Sequence, residues 1–505
     1  MPPPAARARH PNQVLAVLLL AGVSFALSQT MVVPALPALA ADLHASTSAA
    51  SWVLTGYLLS ASVATPIAGK LGDLFGKGRV LTGVLLVFSA GSAICALGNS
   101  IEVVIAGRVV QGVAGGVFPL SFGIIRDTFA AAKVPSAIGL LSAIVGIGGG
   151  LGLPRAGVVV DTLDVSWLFW IGLIALPAAL AAHLVVPPSP PRPRTRVDWL
   201  GAALLSAALV ALLLGVTEAN DWGWGSPRTL AMIGGGLVLA AVWLWVEARI
   251  DDPLIDLRVL RRRAVATTNL AGLMVGFAMF SSFLLIPQFA QASEATGYGF
   301  GMSVTQSGLV LAPAALVQLA IGPLAGRLGV RVGFRITLAL GAALSTIAFL
   351  VLALEHTHPW EFVIGGAFLG AGISFAFASM ANLIVGAVPQ EDVGIATGIN
   401  TIMRTVGGAF GAAVATAILT GDTLAGSPVP AEGAYTLAFL ISAGGGVLAV
   451  CAALLVPARV DPGTGGGAPV RAALARGRGR RTTRLSTSVR PATSASNAAP
   501  ASSSG

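Results

Sequence analysis

The chain has 505 residues, of which 55% are hydrophobic and only 10% carry a charge. Soluble domains usually carry about 25% charged residues, so this chain lacks the polar surface that a water-soluble fold requires. Apolar runs of about 20 residues, the length that a helix needs to cross a bilayer, recur along it. The composition therefore excludes a water-soluble fold and predicts an all-α integral membrane protein.

The formal net charge of +9 does not indicate nucleic-acid binding, because eight of the thirty Lys and Arg residues follow Val456. Residues 458–505 contain few bulky apolar side chains and are predicted to form a disordered, basic cytoplasmic tail near anionic lipid headgroups. Cys95 and Cys451 lie within apolar runs, so we expect no disulfide and no metal site. No nucleotide-binding motif is present, and we expect no cofactor and no use of ATP.

Fourteen apolar segments predict fourteen transmembrane helices in chain order. The first is too long and too interrupted by polar residues for a cleaved signal peptide, and we retain it as a helix. The segments cover residues 14–37, 51–69, 79–98, 101–122, 136–159, 167–187, 199–216, 229–247, 267–290, 306–326, 336–354, 361–387, 395–419 and 435–456.

The positive residues divide unevenly between the two sides of these segments. If the termini are cytoplasmic, the cytoplasmic connections before the tail hold eighteen Lys and Arg residues and the opposite side holds one, Arg228. The positive-inside rule then places both termini in the cytoplasm of a multi-pass protein in the cell inner (plasma) membrane. Arg108, Arg155 and Arg404 lie inside the predicted spans.

The second and third spans are joined by the charged connection "GKLGDLFGKGRVL", which begins at Gly69. Glycines such as Gly69 and Gly76 allow the tight turn and the close approach of helices, while Lys77 and Arg79 anchor the turn on the positive side. A carboxylate such as Asp73 is stabilised at the membrane rim by a cation or a helix N-terminus. If its partner lies on another helix, these five residues form a loop that controls a conformational change; the alternative is a simple ion pair within the loop.

The pattern Gly-x-x-x-Asp-x-x-Gly-Lys-x-Arg in this connection resembles the signature loop of the major facilitator superfamily. The resemblance covers Val14 to Pro457. "IAGRVVQGVAGG", residues 105–116, is similar to the fourth-helix pattern of the fourteen-helix drug:proton antiporter branch, and "VDWLGAALLSAALVALLLGVTEANDWGW" resembles the start of its two extra central helices. A second, weaker copy of the loop, "GPLAGRLGVRVGFR", has Gly326 at the position of the aspartate and suggests two duplicated halves.

The resemblance implies a major-facilitator-type fold of two six-helix bundles, with two inserted central helices, that rock about a central cavity. The implied function is secondary active export of small, largely apolar compounds, such as drugs or secondary metabolites, by proton-coupled alternating access. The implied protein is a transporter and not an enzyme, and it is expected to be a monomer whose partners are a small-molecule substrate, protons and the lipid bilayer. The parts are a cytoplasmic N-terminus at 1–13, the N-terminal bundle at 14–187, the linker with its inserted helices at 188–263, the C-terminal bundle at 264–457, and the tail at 458–505.

Two segments depart from the pattern of that branch. The first helix reads "LSQTMVVPALP", with Ser28 at the usual acidic position and Val33 at the usual asparagine position. The fifth-helix segment reads "GIGGGLGLPRAGV", with Pro154 displaced and Arg155 added. These departures bear on proton coupling, because the first removes an intramembrane acid that the branch usually has.

The distribution of carboxylates raises the same question. Of the twenty-one Asp and Glu residues, only Asp73, Glu102 and Glu361 are expected to touch span ends, and none lies in the middle of a span. Proton-driven transporters commonly use an intramembrane carboxylate whose pKa is raised by burial. Proton coupling is therefore the weakest part of the implied function.

Uncharged polar residues and two arginines occupy the spans instead. Arg404 lies nine residues into its predicted span, about 14 Å along the helix, and contact with lipid there would cost roughly 2.5–3.5 kcal/mol or more. We therefore expect it to face a cavity, although interhelical packing is the alternative for each polar residue taken singly. The candidates for the transport pathway are Gln29, Thr30, Arg108, Gln111, Asn269, Gln318, Asn382, Asn400 and Arg404.

Three other functions remain open at this point. The cationic residues in the spans would suit a specific transporter of an anionic metabolite without proton antiport. A lipid translocase would share the same helices and differ by a lateral opening. A non-transporting receptor lacks support, because no connection is long enough to form a separate domain.

The topology can be tested by labelling single cysteines at Ser226 and Ser488. An impermeant thiol reagent should label the first only from outside the cell and the second only from inside, since the positive-inside rule puts them on opposite sides. The reverse labelling pattern would contradict the predicted orientation.

Overall fold

The structure is a computed structural model that describes residues 10–45, 47–148, 152–188, 198–250, 253, 255, 257–389, 392–424, 427 and 429–457. Residues 1–9 of the predicted N-terminus, residues 189–197 of the predicted linker, and the predicted tail at 458–505 lie outside the described residues. Within the described ranges the regular structure is helical, apart from one isolated β-bridge between Thr423 and Pro430. The predicted all-α class is confirmed.

Twenty α-helices are numbered here in chain order. They are α1 (Pro11–Thr30), α2 (Val32–Asp42), α3 (Thr47–Phe75), α4 (Lys77–Leu97), α5 (Ile101–Gln111), α6 (Val117–Thr128), α7 (Val134–Ile147), α8 (Leu153–Thr162), α9 (Trp167–Trp170), α10 (Ala175–Val185), α11 (Trp199–Thr217), α12 (Ala219–Trp222), α13 (Pro227–Glu247), α14 (Leu257–Arg261), α15 (Arg263–Gln291), α16 (Val304–Val332), α17 (Phe334–Leu354), α18 (Pro359–Ala387), α19 (Val393–Gly421) and α20 (Glu432–Leu455). Short 3-10 helices cover Gly112–Gly116, Ile171–Ile174 and Glu294–Thr296.

Thirteen stretches of helix in the described ranges are long and apolar enough to cross a membrane. The predicted fifth span is the exception, because it consists of two shorter helices, α7 and α8, on either side of residues 149–151, which are not described. Glycine lowers helix propensity, and Pro154 lies in the first turn of α8, where proline suits a helix start. The described parts of the predicted fifth span are therefore two helices of 14 and 10 residues.

Buried clusters group the spans into two sets, which we call the first half (α1 to α10) and the second half (α15 to α20). One cluster around Phe349, Phe362 and Phe439 draws only on the second half and on the connection after α15. Another, which includes Leu27 and Phe169, draws only on the first half. Each half thus has apolar contacts of its own, in addition to those that join it to the other.

The tight turn at the end of α3 has a counterpart at the end of α16. Gly76 has φ +95° and ψ 125°, and Gly333 has φ +96° and ψ 137°; each precedes a helix, and each backbone conformation favours glycine. This match corrects the sequence alignment, in which Gly326 stood at the position of Asp73. Gly69 lies seven residues before Gly76, and Gly326 lies seven residues before Gly333, so Gly326 corresponds to Gly69, four residues from the position that the sequence alignment gave it.

The same correspondence appears where the two halves meet. A Cβ on Gly69 would lie 2.9 Å from the carbonyl carbon of Gly394, near the start of α19. A Cβ on Gly326 would lie 2.7 Å from the carbonyl carbon of Pro135, near the start of α7. We call the α3–α19 contact the first seam and the α7–α16 contact the second seam. Both bring backbone against backbone at the end of the bundle that carries residues 69–79, which we call the basic end.

The inserted hairpin of α11 and α13 packs against the first seam. Leu205 of α11 and Trp243 of α13 share a buried cluster with Ile395 and Ile399 of α19, and Ile67 of α3 packs against the same cluster. The connection after α13 reaches the basic end, where Lys70 Nζ donates to the backbone oxygen of Pro253 at 3.0 Å. The inserted helices therefore contact both halves.

A larger residue at the second seam should disturb the contact between the halves. A Cβ on Gly139 would overlap the backbone oxygen of Gly322, whereas no atom lies within 4 Å of a Cβ on exposed Gly386. We expect Gly139→Val to lower the stability by about 1–3 kcal/mol, seen as a lower Tm in detergent, while Gly386→Val leaves the Tm unchanged. Equal Tm values for the two variants would contradict the described seam.

Candidate functional site

The charged connection places one lysine between two carboxylates. Lys77, only 7% exposed, lies in the first turn of α4; its Nζ is 2.9 Å from Asp127 Oδ2 and 3.8 Å from Asp73 Oδ1. Asp73 is near the end of α3 and Asp127 is near the end of α6. The lysine thus links three helices of the first half, and its charge offsets the repulsion between the two acids.

The Asp73 carboxylate also meets the second half. A Cβ on Gly394, the second residue of α19, would lie 3.5 Å from Asp73 Oδ2. The first N–H groups of a helix lack partners within it, and the helix dipole favours negative charge there. Asp73 is therefore stabilised by a cation from its own half and by a helix N-terminus from the other.

The C-terminal end of α18 is contacted by cations, as the N-terminal end of α19 is contacted by the Asp73 carboxylate. Arg126 Nη1 donates to the backbone oxygen of Val388 at 3.1 Å, and Arg262 Nη1 donates to that of Ala387 at 2.6 Å. The last carbonyl groups of a helix attract cations. Because Arg126 belongs to α6, this contact also joins the two halves at the basic end.

Sequence reasoning missed the part that Arg126 and Asp127 have in these contacts. The signal for them was the charged pair "RD" directly after an apolar span. Arg79, predicted with the loop, is exposed in the first turn of α4. The predicted loop and the end of α6 thus form one charged site, which we call the gate site: Gly69, Asp73, Gly76, Lys77, Arg126, Asp127 and Gly394.

Arg108 lies in a polar cluster within the first half. It is fully buried, and it donates to the backbone oxygens of Val53 at 3.1 Å and Ser28 at 3.2 Å. Its Nη1 also donates to Gln111 Oε1 at 2.7 Å, and its guanidinium stacks over the Tyr57 ring, 4.1 Å from the centroid. The Ser28 backbone oxygen therefore accepts a hydrogen bond at the position where the resemblance leads one to expect a carboxylate.

Arg404 lies in a second polar cluster, within the second half. Its Nη1 is 3.4 Å from Asn400 Oδ1 and its Nη2 is 3.3 Å from Thr401 Oγ1. Asn400 Nδ2 in turn donates to Asn269 Oδ1 at 3.1 Å. The guanidinium stacks over the Phe377 ring of α18, with its carbon 4.3 Å from the centroid. Three of the predicted pathway residues are thus brought together.

The other predicted pathway residues do not join that cluster. Thr30 Oγ1 donates to the backbone oxygen of Gly148 at 2.6 Å and ties α1 to the end of α7. Asn382 Nδ2 donates to the backbone oxygen of Ala378 at 2.7 Å and contacts that of Pro135 at 3.5 Å, beside the second seam.

Gln318 and Gln29 also lie apart from the Arg404 cluster. Gln318 lines a cavity of about 30 Å³ between α15, α16 and α18, large enough for one water molecule. Gln29 is partly buried on α1. The predicted residues therefore occupy several places, and only two groups, at Arg108 and at Arg404, are clusters.

The structure also corrects the expectation about carboxylates at span ends. Glu247, the last residue of α13, is 3% exposed and accepts a hydrogen bond from Trp243 Nε1 at 3.0 Å. Glu218, which follows α11, is 8% exposed, and burial, with a smaller effect from Asp221, raises its pKa. Glu361 is buried as a helix cap, accepting from the backbone N–H of His358 at 2.9 Å. The sequence-based expectation had omitted both Glu247, although it is the last residue of the predicted span 229–247, and Glu218, which lies two residues after the predicted span 199–216.

Spans that meet in two glycine seams, with a charged site at one end and polar clusters inside each half, define a polytopic membrane protein built of two halves. The chain matches the family model described as Major Facilitator Superfamily at residues 18–298 and 268–491. It belongs to that family, and the resemblance in the charged loop is confirmed.

Individual relatives agree with this assignment. The chain is 31% identical over 415 residues to an uncharacterized MFS-type transporter of Mycobacterium tuberculosis, covering 80% of this chain and 58% of that relative, so it spans less than two thirds of that protein. It is 30% identical over 399 residues to the tetracenomycin C resistance and export protein of Streptomyces glaucescens, covering 77% and 72%. The human organic anion transporter MFSD10 (TETRAN) has a TM-score of 0.61 and covers 90% of this chain and 100% of its own, at 18% identity, which shows the fold alone.

Removing the charge of Asp73 should weaken the contact between the halves. A negative charge at a helix N-terminus contributes about 0.3–2 kcal/mol, so we expect Asp73→Asn to lower the transport rate by up to about 30-fold. The amount of protein in the membrane should not change. The matched control is Asp164→Asn, which removes an exposed carboxylate from another connection and should transport normally; normal transport by Asp73→Asn would show that the carboxylate has no part in the cycle.

Two neighbouring cations of the same turn should differ in importance. Lys77 is buried between two carboxylates, whereas Arg79 is exposed. Because breaking a buried ion pair is far more costly than removing a surface charge, we expect Lys77→Ala to lower transport about tenfold or more and Arg79→Ala less than about twofold. Equal losses of transport in the two variants would mean that transport depends on positive charge in the turn and not on the burial of Lys77 between two carboxylates.

Proposed function

We propose that this protein exports small, largely apolar compounds, such as drugs or secondary metabolites, across the cell inner membrane by alternating access. Family membership and the likeness to a tetracenomycin C resistance and export protein support it. The observation that carries the mechanism is the contact of Asp73 with the start of α19, because a contact between the halves must break when that end of the bundle opens.

The halves that we propose to move are the predicted bundles at 14–187 and 264–457, with the linker at 188–263 as the insert. Under the positive-inside rule the basic end is the cytoplasmic end, and we propose that both termini lie there. The described arrangement, with both seams in contact at the basic end, then corresponds to a state closed to the cytoplasm. We propose that the transporter acts as a monomer, because each half already meets its counterpart within one chain.

Proton coupling is part of the proposal and needs a carboxylate that can exchange protons. The described spans have none in mid-membrane, and the candidate we propose is Glu218. It is buried where the connection after α11 meets α19, since neighbouring Asn220 Nδ2 donates to the backbone oxygen of Ala413 at 3.2 Å. Its raised pKa brings its titration closer to neutral pH.

Transport should be tested in inverted membrane vesicles, with tetracenomycin C and ethidium as probes. Uptake should occur with the wild-type protein, increase when an imposed proton gradient acidifies the lumen, and be absent from vesicles that lack the protein. Uptake that occurs but does not change with the proton gradient would contradict proton coupling and would still support export. A fluorescent phospholipid that crosses the bilayer while both probes do not would favour the lipid translocase instead.

The site of proton exchange can be tested separately. We expect the proton gradient to increase uptake about tenfold in the wild type and not to increase it in Glu218→Gln, because an amide cannot be protonated in this range. Asp221→Asn is the matched control, since Asp221 is an exposed carboxylate three residues away, and it should respond to the gradient as the wild type does. A full response by Glu218→Gln would exclude this carboxylate.

A further inference from the structure

Arg108 and Arg404, the arginines of the two polar clusters, differ in how accessible their donors are. Arg108 is fully buried, and three short contacts to Val53, Ser28 and Gln111 fix its position in the first half. Arg404 is only partly buried, and its two hydrogen bonds are long, at 3.4 and 3.3 Å. Nη2 of Arg108 also makes no hydrogen bond, but it is enclosed in the packing of the first half, whereas Arg404 is partly exposed and its open donors can be reached by another partner.

Three of the five N–H groups of Arg404 make no hydrogen bond within the described residues. A guanidinium has five N–H groups in a planar fork, and within the described residues Arg404 makes hydrogen bonds only through Nη1 and Nη2, to uncharged oxygens of Asn400 and Thr401. No carboxylate of the described chain lies within 4.0 Å of it. The cation therefore has no counter-ion of its own in the described part of the protein.

Close packing of glycine fixes the place of this cation. A Cβ on Gly276 of α15 would overlap the Arg404 backbone oxygen, and a Cβ on Gly407 would overlap the Leu273 backbone oxygen. Helix α19 thus lies directly against α15 along the turns that flank Arg404. The arginine is about 17 Å from the start of α19, at 1.5 Å per residue, and is well inside the span.

An unneutralised guanidinium at this depth requires a polar surrounding. A charged side chain at the centre of a span that faced lipid would cost roughly 2.5–3.5 kcal/mol or more. Here Asn400, Thr401 and the face of the Phe377 ring supply partial compensation only, since amide, hydroxyl and ring contacts are weaker than an ion pair. An anion that arrives at the open N–H groups would complete the site.

We propose that Arg404 is a recognition site for the ionised acid group of exported compounds, so that the transporter prefers aromatic or apolar organic anions, such as carboxylates, over their neutral analogues. The proposal deepens the export function and rests on it. The fork of Arg404 suits a planar carboxylate, which accepts two parallel hydrogen bonds. Phe377, buried and stacked on the guanidinium, holds the fork in place from the side of α18.

The test compares 2-naphthoate with 2-naphthamide, which have the same ring and differ in charge, as inhibitors of ethidium export in inverted vesicles at pH 8. With the wild type, we expect naphthoate to inhibit at a concentration about 10- to 100-fold lower than naphthamide, the effect of one charge-assisted contact. Arg404→Gln should remove this difference while naphthamide inhibits as before. Arg331→Gln is the matched control, because it removes an exposed arginine from the last turn of α16, and it should keep the full difference.

The outcomes separate this proposal from the export function. Wild-type protein that exports ethidium but does not distinguish the two probes, or Arg404→Gln protein that still distinguishes them, would overturn the anion site alone. If the wild type exports nothing, binding of 2-naphthoate to the purified protein, followed by tryptophan fluorescence, decides the site independently. If Arg404→Gln is not inserted, Arg404→Lys serves instead: it should reduce the preference for naphthoate without reversing it, and an unchanged preference would overturn the proposal.

Discussion

The structure depends on the contact between a carboxylate of one half and a helix N-terminus of the other. Asp73 reaches the start of α19 because Gly69 and Gly394 let the two backbones approach, and Lys77 holds the carboxylate from its own side. Within a membrane the hydrophobic effect does not drive helices together. Small residues and a few charge contacts at the rim must therefore decide whether the halves are closed at the basic end.

The second seam repeats this geometry with different chemistry. Gly326 stands where Gly69 stands, and it packs on the start of α7 as Gly69 packs on the start of α19. No carboxylate accompanies it, because the residue four positions on is Val330, which is exposed. The two seams thus share their close packing, and the carboxylate described here belongs to the first seam, which the inserted hairpin also covers.

Hydropathy alone predicted the helical class and the positions of nearly all spans, because a length of apolar sequence is a direct physical requirement of the bilayer. The loop at Asp73 was also evident from its isolated charge. The sequence could not show that Asp127 would share Lys77, or that Asn382 would lie beside a seam and Asn400 beside Arg404. Those facts depend on which helices become neighbours, and every amide in an apolar helix has the same pattern in sequence.

The central claim is that the Asp73 contact keeps the basic end closed. It can be tested by double electron–electron resonance between spin labels at Lys133 and Arg331, two exposed positions on opposite halves at that end, in a background without Cys95 and Cys451. The account predicts a single short distance in the wild-type protein and an added population of longer distances in Asp73→Asn. The same distance distribution in both proteins would contradict it.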